Sequence, residues 1–255
     1  MDPQSRTVEL KAGDNAQERS RVLAHFWGGL REKEVFEVLK GWRGEVYPIY
    51  GPRGEVLMSM ERAATPLFGV VTYGVHMIAY VKDQQDREEM KIWVPRRAST
   101  KQTYPGMMDN TVAGGITTGE KVLDCLVREA REEASLPETF VRENARPCGT
   151  VTYFHVRDER AGGETGLCQP ECQYVYDLEL PGDVVLSPGD DEAVDFRLLS
   201  VEEVRMALGR GEFKPNCAVV LLDFFVRHGV LTPENDRDYI ELVSRLHRRL
   251  EFPMP

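Results

Sequence analysis

The sequence predicts an α+β fold, and three observations on its 255 residues favour this class. Apolar, β-branched stretches of strand length occur between segments with the amphipathic spacing of helices. The two kinds of segment show little strict alternation, which argues against a repeated βαβ arrangement. Apolar residues make up 42% of the chain and charged residues 29%, which is typical of globular proteins. One large domain or two modest ones are therefore expected.

Residues 1–65 are expected to form a small N-terminal α/β module. A helix is predicted from Asn15 to a break at Gly28-Gly29, and a second helix from Glu32 to Lys40, because apolar residues recur there at helical spacing. Two alternating segments within residues 45–60 flank a glycine-containing turn, which predicts a β-hairpin.

Residues 66–255 are expected to form the main domain. The segment 67–81 is long, apolar and β-branched, so it is predicted to be a central strand. The next strand is predicted at residues 91–95, and Pro95 should end it because proline cannot donate to a strand ladder. Later segments predict strands at 150–156, 173–180 and 194–199 and helices at 201–208, 217–228 and 236–250.

A glycine-rich turn followed by an acidic helix is the most informative segment of the chain. The turn, residues 114–120, leads into a helical run in which Glu129, Glu132 and Glu133 share one face. Like charges at this spacing repel one another, so their presence indicates a use for the charge. The opposite stripe is apolar and anchors the helix. Clustered carboxylates of this kind suit Mg²⁺ or Mn²⁺, usually bound together with substrate phosphates.

The same segment resembles the Nudix box, whose pattern is Gly, five residues, Glu, seven residues, Arg-Glu, an apolar residue, any residue, Glu-Glu, any residue, Gly and an apolar residue. The positions that fit are Gly114, Glu120, Arg128, Glu129, Ala130, Glu132, Glu133 and Leu136. Ser135 stands where the pattern has its second glycine, which leaves the geometry of the helix exit open. The resemblance implies a Nudix fold, in which a mixed β-sheet is sandwiched between helices.

The resemblance also implies roles for the residues of the box. Glu129, Glu132 and Glu133 would be metal ligands for Mg²⁺ or Mn²⁺, with a main-chain carbonyl of Ala113 or Gly114 as a further ligand. Glu132 and Arg128 are placed among the catalytic residues, and an ion pair between Arg128 and Glu120 would brace the turn that Gly114 and Gly115 shape. Glu192, in an acidic loop before a strand, is the candidate for a further ligand or base; an ordinary solvated turn is the alternative.

A basic segment precedes the box and supplies the candidate substrate-binding residues. Residues 96–110 are polar and lack periodicity, so we expect a loop beside the acidic helix. The candidates for binding the terminal phosphate are Arg96, Arg97 and Lys101. The candidates for the polar edges of the organic group are Gln102, Tyr104, Asp109 and Asn110, although Asn110 can also serve the turn alone. His76 and His155 lie in apolar strands and are expected to be core histidines.

Longer segments resemble the fungal and plant Nudix proteins that are related to thiamine pyrophosphokinase. The segments that carry this resemblance are Gly41–Tyr47, Lys101–Gly115, Cys125–Leu136, Tyr174–Leu180 and Phe213–Cys217. The family usually has additional sequence ahead of the point where this chain begins. Its activity is the conversion of the diphosphates of oxidised thiamine analogues, oxothiamine and oxythiamine, to monophosphates. The resemblance therefore implies a metal-dependent diphosphate hydrolase that removes damaged cofactor.

Three other functions remain open from the sequence. One is hydrolysis of another small organic diphosphate, of the terpenoid or nucleotide-sugar type. Another is isopentenyl diphosphate isomerase-like chemistry, which needs a cysteine soon after the basic run, whereas Thr111-Val112-Ala113 has none. The last is a non-catalytic binding module, which would be expected to lose glutamates of the box, and here all are present.

Charge and cysteine content limit the partners and the compartment. A net charge of −10 argues against nucleic-acid binding, which needs clustered Lys and Arg. The N-terminus has no apolar signal core and no run approaches the length of a membrane span, so a cytoplasmic protein without membrane contact is expected. The five cysteines are irregularly spaced and are expected to be reduced, without a zinc site. The expected partner is a small organic diphosphate, with homodimer formation left open.

Overall fold

The computed structural model describes residues 9–82 and 90–255, and it confirms the predicted α+β class with a mixed sheet between helices. The helices are α1 Ala16–Glu32, α2 Thr65–Phe68, α3 Val122–Ala134, α4 Glu138–Asn144, α5 Val201–Gly209, α6 Pro215–Arg227 and α7 Tyr239–Leu246. The strands are β1 Val46–Tyr50, β2 Val56–Glu61, β3 Thr72–Lys82, β4 Met90–Arg97, β5 Val112–Gly115, β6 Arg146–Val156, β7 Cys168–Glu179 and β8 Ala193–Ser200. In this part of the chain, no helix is long and apolar enough to cross a membrane.

The main sheet has the strand order β6-β7-β3-β4-β8, and β5 pairs with part of β3. The β3–β7 pair is parallel and the other pairs are antiparallel, so the sheet is mixed. Strand β3 is buried on both faces, with Val75, Met77 and Ile78 fully enclosed. One face packs against α3 and the other against α6, where Phe224 is fully buried. Burying an aromatic side chain of this size contributes roughly 2–3 kcal/mol to folding.

Helix α3 forms because its apolar stripe fits against the sheet. Cys125, Leu126 and Ala130 on this stripe are completely buried. The helix ends at Ser135, whose φ of 55° lies in the left-handed region that glycine adopts freely. Serine in this conformation costs about 1 kcal/mol, yet it closes the helix with the same hydrogen bond that a glycine cap would make. The departure at residue 135 therefore leaves the exit of the acidic helix intact.

The N-terminal module consists of α1 packed on the β1–β2 hairpin, with Trp27 and Met60 in its core. The hairpin confirms the predicted turn, but the predicted helices were wrong in extent. Helix α1 continues through Gly28-Gly29 to Glu32, because the burial of Trp27 outweighs the weak helix propensity of glycine. Residues Glu37–Gly41 form only a 3₁₀ turn. The division of the chain at residue 65 stays a prediction.

Several predictions in the main domain were wrong in extent. The strand predicted at residues 67–81 begins only at Thr72, because Thr65–Phe68 form α2, and the helix predicted at 236–250 covers only Tyr239–Leu246. Strand β4 continues through Pro95 to Arg97, because the carbonyl of Pro95 accepts from the amide of Asp109 over 3.0 Å. The side of Pro95 that lacks an N–H therefore faces the loop, and the ladder to β8 is not interrupted. Residues Val112–Gly115 form strand β5, although the glycines there predict a turn. These two glycines lie where other elements approach the strand closely.

Candidate active site

A cleft of about 210 Å³ opens between the N-terminal module and the end of the sheet where β3, β5 and β7 meet. Its walls carry five cationic side chains, which define what is called here the basic cleft: Arg43, Arg62, Lys101, Arg157 and Lys214. The chain as a whole has a net charge of −10, so this concentration of cations is local. Such a concentration favours an anionic ligand, because arginine and lysine bind phosphate through charge-assisted hydrogen bonds.

The glycine pair of β5 lets two elements close on the strand. A Cβ atom on Gly114 would lie 2.1 Å from the carboxyl carbon of Glu129, and one on Gly115 would lie 1.7 Å from the hydroxyl of Tyr47. Any side chain at either position would therefore push away α3 or the N-terminal module. The strand edge thus brings the acidic helix close to the basic cleft, which includes Ala113, Gly114 and Gly115 in its lining.

The carboxylates of α3 are unequally exposed. Glu129 is 15% exposed and Glu132 is 42% exposed, while Glu133 Oε2 accepts a hydrogen bond from the amide of Ala113 over 2.9 Å. Burial raises the pKa of Glu129 to about 7, although the Arg128 charge opposes the shift. Burial also raises the pKa of Glu133 well above its usual range. Glu129 has Arg128 as a counter-charge, and no ion pair to Glu133 is found among the described residues, so a bound cation would supply charge to this pair of carboxyl groups.

Arg128 connects the box residues to one another. Its Nε donates to Glu120 over 2.9 Å, and its Nη1 donates to Glu129 over 2.8 Å and to Glu132 over 3.2 Å. Glu120 also accepts from the amide and hydroxyl of Thr117, so it fixes the turn that precedes the helix. The arginine therefore holds the turn on one side and two of the three helix carboxylates on the other.

The oxygen atoms of the α3 carboxylates are suitable ligands for a hard divalent cation, but they do not converge on a single point in this structure. Among residues 9–82 and 90–255, no three His, Cys, Asp or Glu side chains converge closely enough to hold a metal ion. Arg128 pairs with Glu129 and Glu132 instead. The N–H of Ala113 faces Glu133, so the carbonyl of Ala113 lies on the same edge of the strand. This carbonyl is a fourth candidate ligand group beside the three carboxylates of α3. Oxygen donors of this kind match Mg²⁺ or Mn²⁺.

Glu192 lies beside the acidic helix, in an ion pair. Lys101 Nζ pairs with Glu192, and Arg43 Nη1 lies 3.6 Å from the other carboxylate oxygen. The amide of Gly189 donates to the carbonyl of Glu133 over 3.1 Å, which fastens this loop to α3. Burial opposes ionisation of Glu192, but the hydrogen bond from Lys101 lowers its pKa. Glu192 is therefore an ionised partner of Lys101, and its role as ligand or base stays a prediction.

The structure divides the predicted substrate-binding residues into two groups. Lys101, Gln102 and Tyr104 line the basic cleft. The other four, Arg96, Arg97, Asp109 and Asn110, are absent from the described lining of the cleft and stabilise the loop between β4 and β5. Arg97 pairs with Asp109 at 2.6 Å, and Arg96 donates to the carbonyl of Gly106 over 2.9 Å. Asn110 forms a hydrogen bond with His76 over 2.8 Å. The placement of this second group fits a structural role better than phosphate binding.

Several lining residues were missed by the sequence analysis. They include Tyr47 and Arg62 of the N-terminal module and Glu171, Gln173, Lys214 and Asn216 of the main domain. His76 is buried, as expected of a core histidine, yet it lines the cleft; His155 does so too, and its Nε2 lies 2.8 Å from the hydroxyl of Tyr104. A usable signal is present, because polar residues recur at every second position near the start of β7, at Gln169, Glu171 and Gln173.

Comparisons with known proteins place these features in context. A family profile described as NUDIX domain matches residues 72–217, and one described as a domain of unknown function (DUF4743) matches residues 2–72. An uncharacterized protein of Saccharomyces cerevisiae is 41% identical over 219 residues, which cover 84% of this chain and 64% of that protein. Nudix hydrolase 20, chloroplastic, of Arabidopsis thaliana is 35% identical over 235 residues, with 91% and 59% covered.

A further similarity covers less than half of the chain. An isopentenyl-diphosphate Delta-isomerase of Cereibacter sphaeroides is 30% identical over 114 residues, which cover 44% of this chain and 58% of that protein. This chain therefore spans 64%, 59% and 58% of the lengths of these three relatives.

Proposed function

The chain belongs to the Nudix family, and from this premise we propose that it hydrolyses a small organic diphosphate to the monophosphate and orthophosphate with the help of a divalent metal ion. One observation carries the proposal: the Glu129 and Glu133 carboxylates of α3 meet the edge of β5 beside a cleft with five cationic side chains. Acidic and basic groups are thus separated into a place for cations and a place for phosphate oxygens.

The chemistry requires a water molecule, a neutralised phosphate and an acceptor for one proton. A divalent cation held by Glu129, Glu132, Glu133 and the Ala113 carbonyl would neutralise phosphate oxygens and make the bound water more acidic. The oxygen of the water attacks the terminal phosphorus, the bridging P–O bond breaks, and the monophosphate leaves with the electron pair. Glu132 and Glu192 are the candidates to accept the proton from water. Lys101 binds the terminal phosphate in this proposal.

The proposed substrates are the diphosphates of oxidised thiamine analogues, oxothiamine and oxythiamine. The family resemblance supports this choice, and the polar floor of the basic cleft is compatible with a nitrogen heterocycle. The reaction would remove a damaged cofactor that still fits thiamine-dependent enzymes. We also propose that the protein acts in the cytoplasm and needs no nucleic acid or membrane, although Nudix hydrolase 20 of Arabidopsis thaliana is described as chloroplastic. Homodimer formation is open.

The isomerase alternative is disfavoured by the positions of the cysteines. None of the described lining residues of the basic cleft is a cysteine. Cys217 is fully buried, with its Sγ 2.6 Å from Asp109, and Cys125 is fully buried in the core beneath α3. Neither thiol can exchange a proton with a ligand in the cleft. Hydrolysis of terpenoid or nucleotide-sugar diphosphates remains the second candidate, since it would use the same carboxylates.

A substrate panel tests the proposal. The purified chain with Mg²⁺ or Mn²⁺ is incubated with oxothiamine, oxythiamine and thiamine diphosphates, a nucleotide sugar and isopentenyl diphosphate, and the products are separated by chromatography. We expect monophosphate and orthophosphate to form fastest from the oxidised thiamine compounds, and at least about a hundredfold more slowly with Glu133→Gln. If another diphosphate were hydrolysed fastest, that compound would replace the thiamine analogues as the proposed substrate. If the wild type hydrolysed none of the compounds, the hydrolase proposal would be wrong.

A further inference from the structure

An amide on the floor of the basic cleft has an oxygen without a hydrogen-bond partner. Gln173 on β7 is 5% exposed and lines the cleft. No described residue donates to its Oε1. A buried acceptor left unpaired is unfavourable, so native proteins usually pair it with protein, water or ligand. Its position in the cleft points to a ligand donor.

The orientation of this amide is fixed by its neighbours. Nε2 of Gln173 donates to Glu171 Oε2 over 2.7 Å, and the hydroxyl of Tyr153 donates to the same oxygen over 2.6 Å. A carboxylate only accepts hydrogen bonds, so Glu171 selects the NH₂ side of the amide. Oε1 is therefore turned away from Glu171 and lies over Gly74, which lines the same cleft, so the amide presents an acceptor rather than a donor on this side.

Gly74 provides the space for this oxygen. It lies opposite Gln173 in the parallel β3–β7 pair. A Cβ atom at Gly74 would lie 2.3 Å from Oε1 of Gln173, which is too close for any side chain. Glycine at position 74 is therefore required for the amide oxygen to lie where it does.

A donor lies near this acceptor. His76 is two residues along β3 from Gly74, on the same face of the sheet, and it also lines the cleft. Nδ2 of Asn110 donates to Nδ1 of His76 over 2.8 Å, so the neutral ring carries its proton on Nε2. Burial lowers the pKa of His76 to about 3, which keeps the ring neutral. The floor thus combines one fixed acceptor with one fixed donor.

We propose that Gln173 is a specificity-determining residue whose Oε1 accepts a hydrogen bond from an N–H group of a nitrogen heterocycle in the substrate. His76 Nε2–H then donates to an acceptor on the same ring. The inference rests on the proposed function, since it concerns the organic part of the substrate at the same site. A terpenoid chain has no N–H group, so it would leave Oε1 unpaired and would be selected against.

The test separates recognition of the ring from hydrolysis. Calorimetry measures the Kd of oxythiamine monophosphate, whose ring carries an N–H, and of inorganic diphosphate, which has no ring. We expect Gln173→Leu to weaken binding of the monophosphate at least about tenfold and to leave binding of inorganic diphosphate unchanged. Gln173→Met serves as a second variant of similar length, and Tyr174→Phe on the opposite face of β7 is the control.

Each outcome decides the inference. Loss of monophosphate binding alone supports it, and this holds even if no diphosphate is hydrolysed, in which case only the proposed function fails. Equal loss for both ligands would indicate a structural role of Gln173 and overturn the inference. Unchanged binding of the monophosphate by both variants, or no binding of it by the wild type, would overturn it as well.

Discussion

Nε of Arg128 lies 2.9 Å from Oε1 of Glu120, so the acidic helix α3 is tied to the loop that leads into it. The same guanidinium also bonds Glu129 and Glu132, so its removal takes a cationic partner from three carboxylates. We expect Arg128→Ala to lower the free energy of unfolding by about 1 kcal/mol and to lower kcat/KM at least tenfold. Urea unfolding and kinetics measure the two effects.

The matched control for this change is Arg142→Ala. Arg142 is 38% exposed, close to the 36% of Arg128, and it bonds two carboxylates on the outer side of α3 and α4. Its loss should leave kcat/KM unchanged. If Arg128→Ala behaved like Arg142→Ala, the contacts of Arg128 would be irrelevant to catalysis.

The helix carboxylates lead to a prediction about metal dependence. Glu132→Gln and Glu133→Gln remove one negative ligand each while they keep the shape of the side chain. We expect each change to lower kcat at least about a hundredfold with Mg²⁺ and to leave the melting temperature within a few degrees. Glu138→Gln on the first turn of α4, where Glu138 is exposed, is the control. Near-normal activity of both variants with Mg²⁺ would contradict the metal assignment.

The acidic helix could be predicted because its function depends on spacing within one segment. The residues of one helix face follow from positions 129, 132 and 133 alone. The exit at Ser135, which the sequence left open, adopts the left-handed conformation. The cleft could not be predicted in this way. Arg62, Gln173 and Lys214 are far apart in sequence, and they meet only because β7 pairs in parallel with β3 and the N-terminal module covers that end of the sheet.

The same reasoning explains why the roles of the cations in the segment 96–110 could not be predicted from the sequence. The sequence shows three cations at positions 96, 97 and 101, but it does not show that Asp109 folds back onto Arg97 with both side chains about one-tenth exposed. A cation paired in this way positions the loop, whereas Lys101 lies in the cleft. Which charged side chains form ion pairs depends on tertiary contacts, and the local sequence pattern does not determine these contacts.

Of the three cations predicted to bind phosphate, Lys101 lines the basic cleft and Arg96 and Arg97 do not. Its side chain is 12% exposed, and its ion-pair partner is Glu192. We expect Lys101→Ala to raise KM for the diphosphate about tenfold, because the phosphate loses a charge-assisted hydrogen bond. Steady-state kinetics measure the change, and Lys121→Ala, at the exposed start of α3, is the control. Unchanged KM and kcat would remove Lys101 from the site.

Asp177 on β7 predicts how stability depends on pH. It is 5% exposed, and it accepts hydrogen bonds from His228 over 2.8 Å and from Arg227 over 3.0 Å. Burial raises the pKa of Asp177, but these two hydrogen bonds outweigh it, so the pKa in the folded state is below the unfolded value. The stabilisation is therefore complete above about pH 4 and is lost as the pH falls through the folded-state pKa.

The corresponding experiment is urea unfolding of Asp177→Asn. We expect this change to cost about 3 kcal/mol at pH 7, because it leaves Arg227 partly unpaired in a buried site. The difference from the wild type should narrow as the pH falls below about 4. Asp124→Asn, whose ion pair with Arg142 is half exposed, is the control and should cost less than about 1 kcal/mol. A difference that does not change with pH would show that Asp177 contributes through packing alone.

Arg62 tests whether the N-terminal module is part of the active site. It follows β2, pairs with Glu45 over 3.0 Å, lies over the ring of Tyr47, and faces the basic cleft near the glycine edge of β5. In the proposed reaction, a cation at this position would stabilise phosphate oxygens that enter beside Glu129. We expect Arg62→Ala to raise KM at least about tenfold with a smaller change in kcat, since it removes binding rather than a reacting group. Arg53→Ala, in the exposed hairpin turn of the same module, should leave KM unchanged.

A lower melting temperature with an unchanged KM would mean that Arg62 only joins the two parts of the fold. A raised KM with an unchanged melting temperature would mean that the segment matched by the domain of unknown function supplies part of the substrate site.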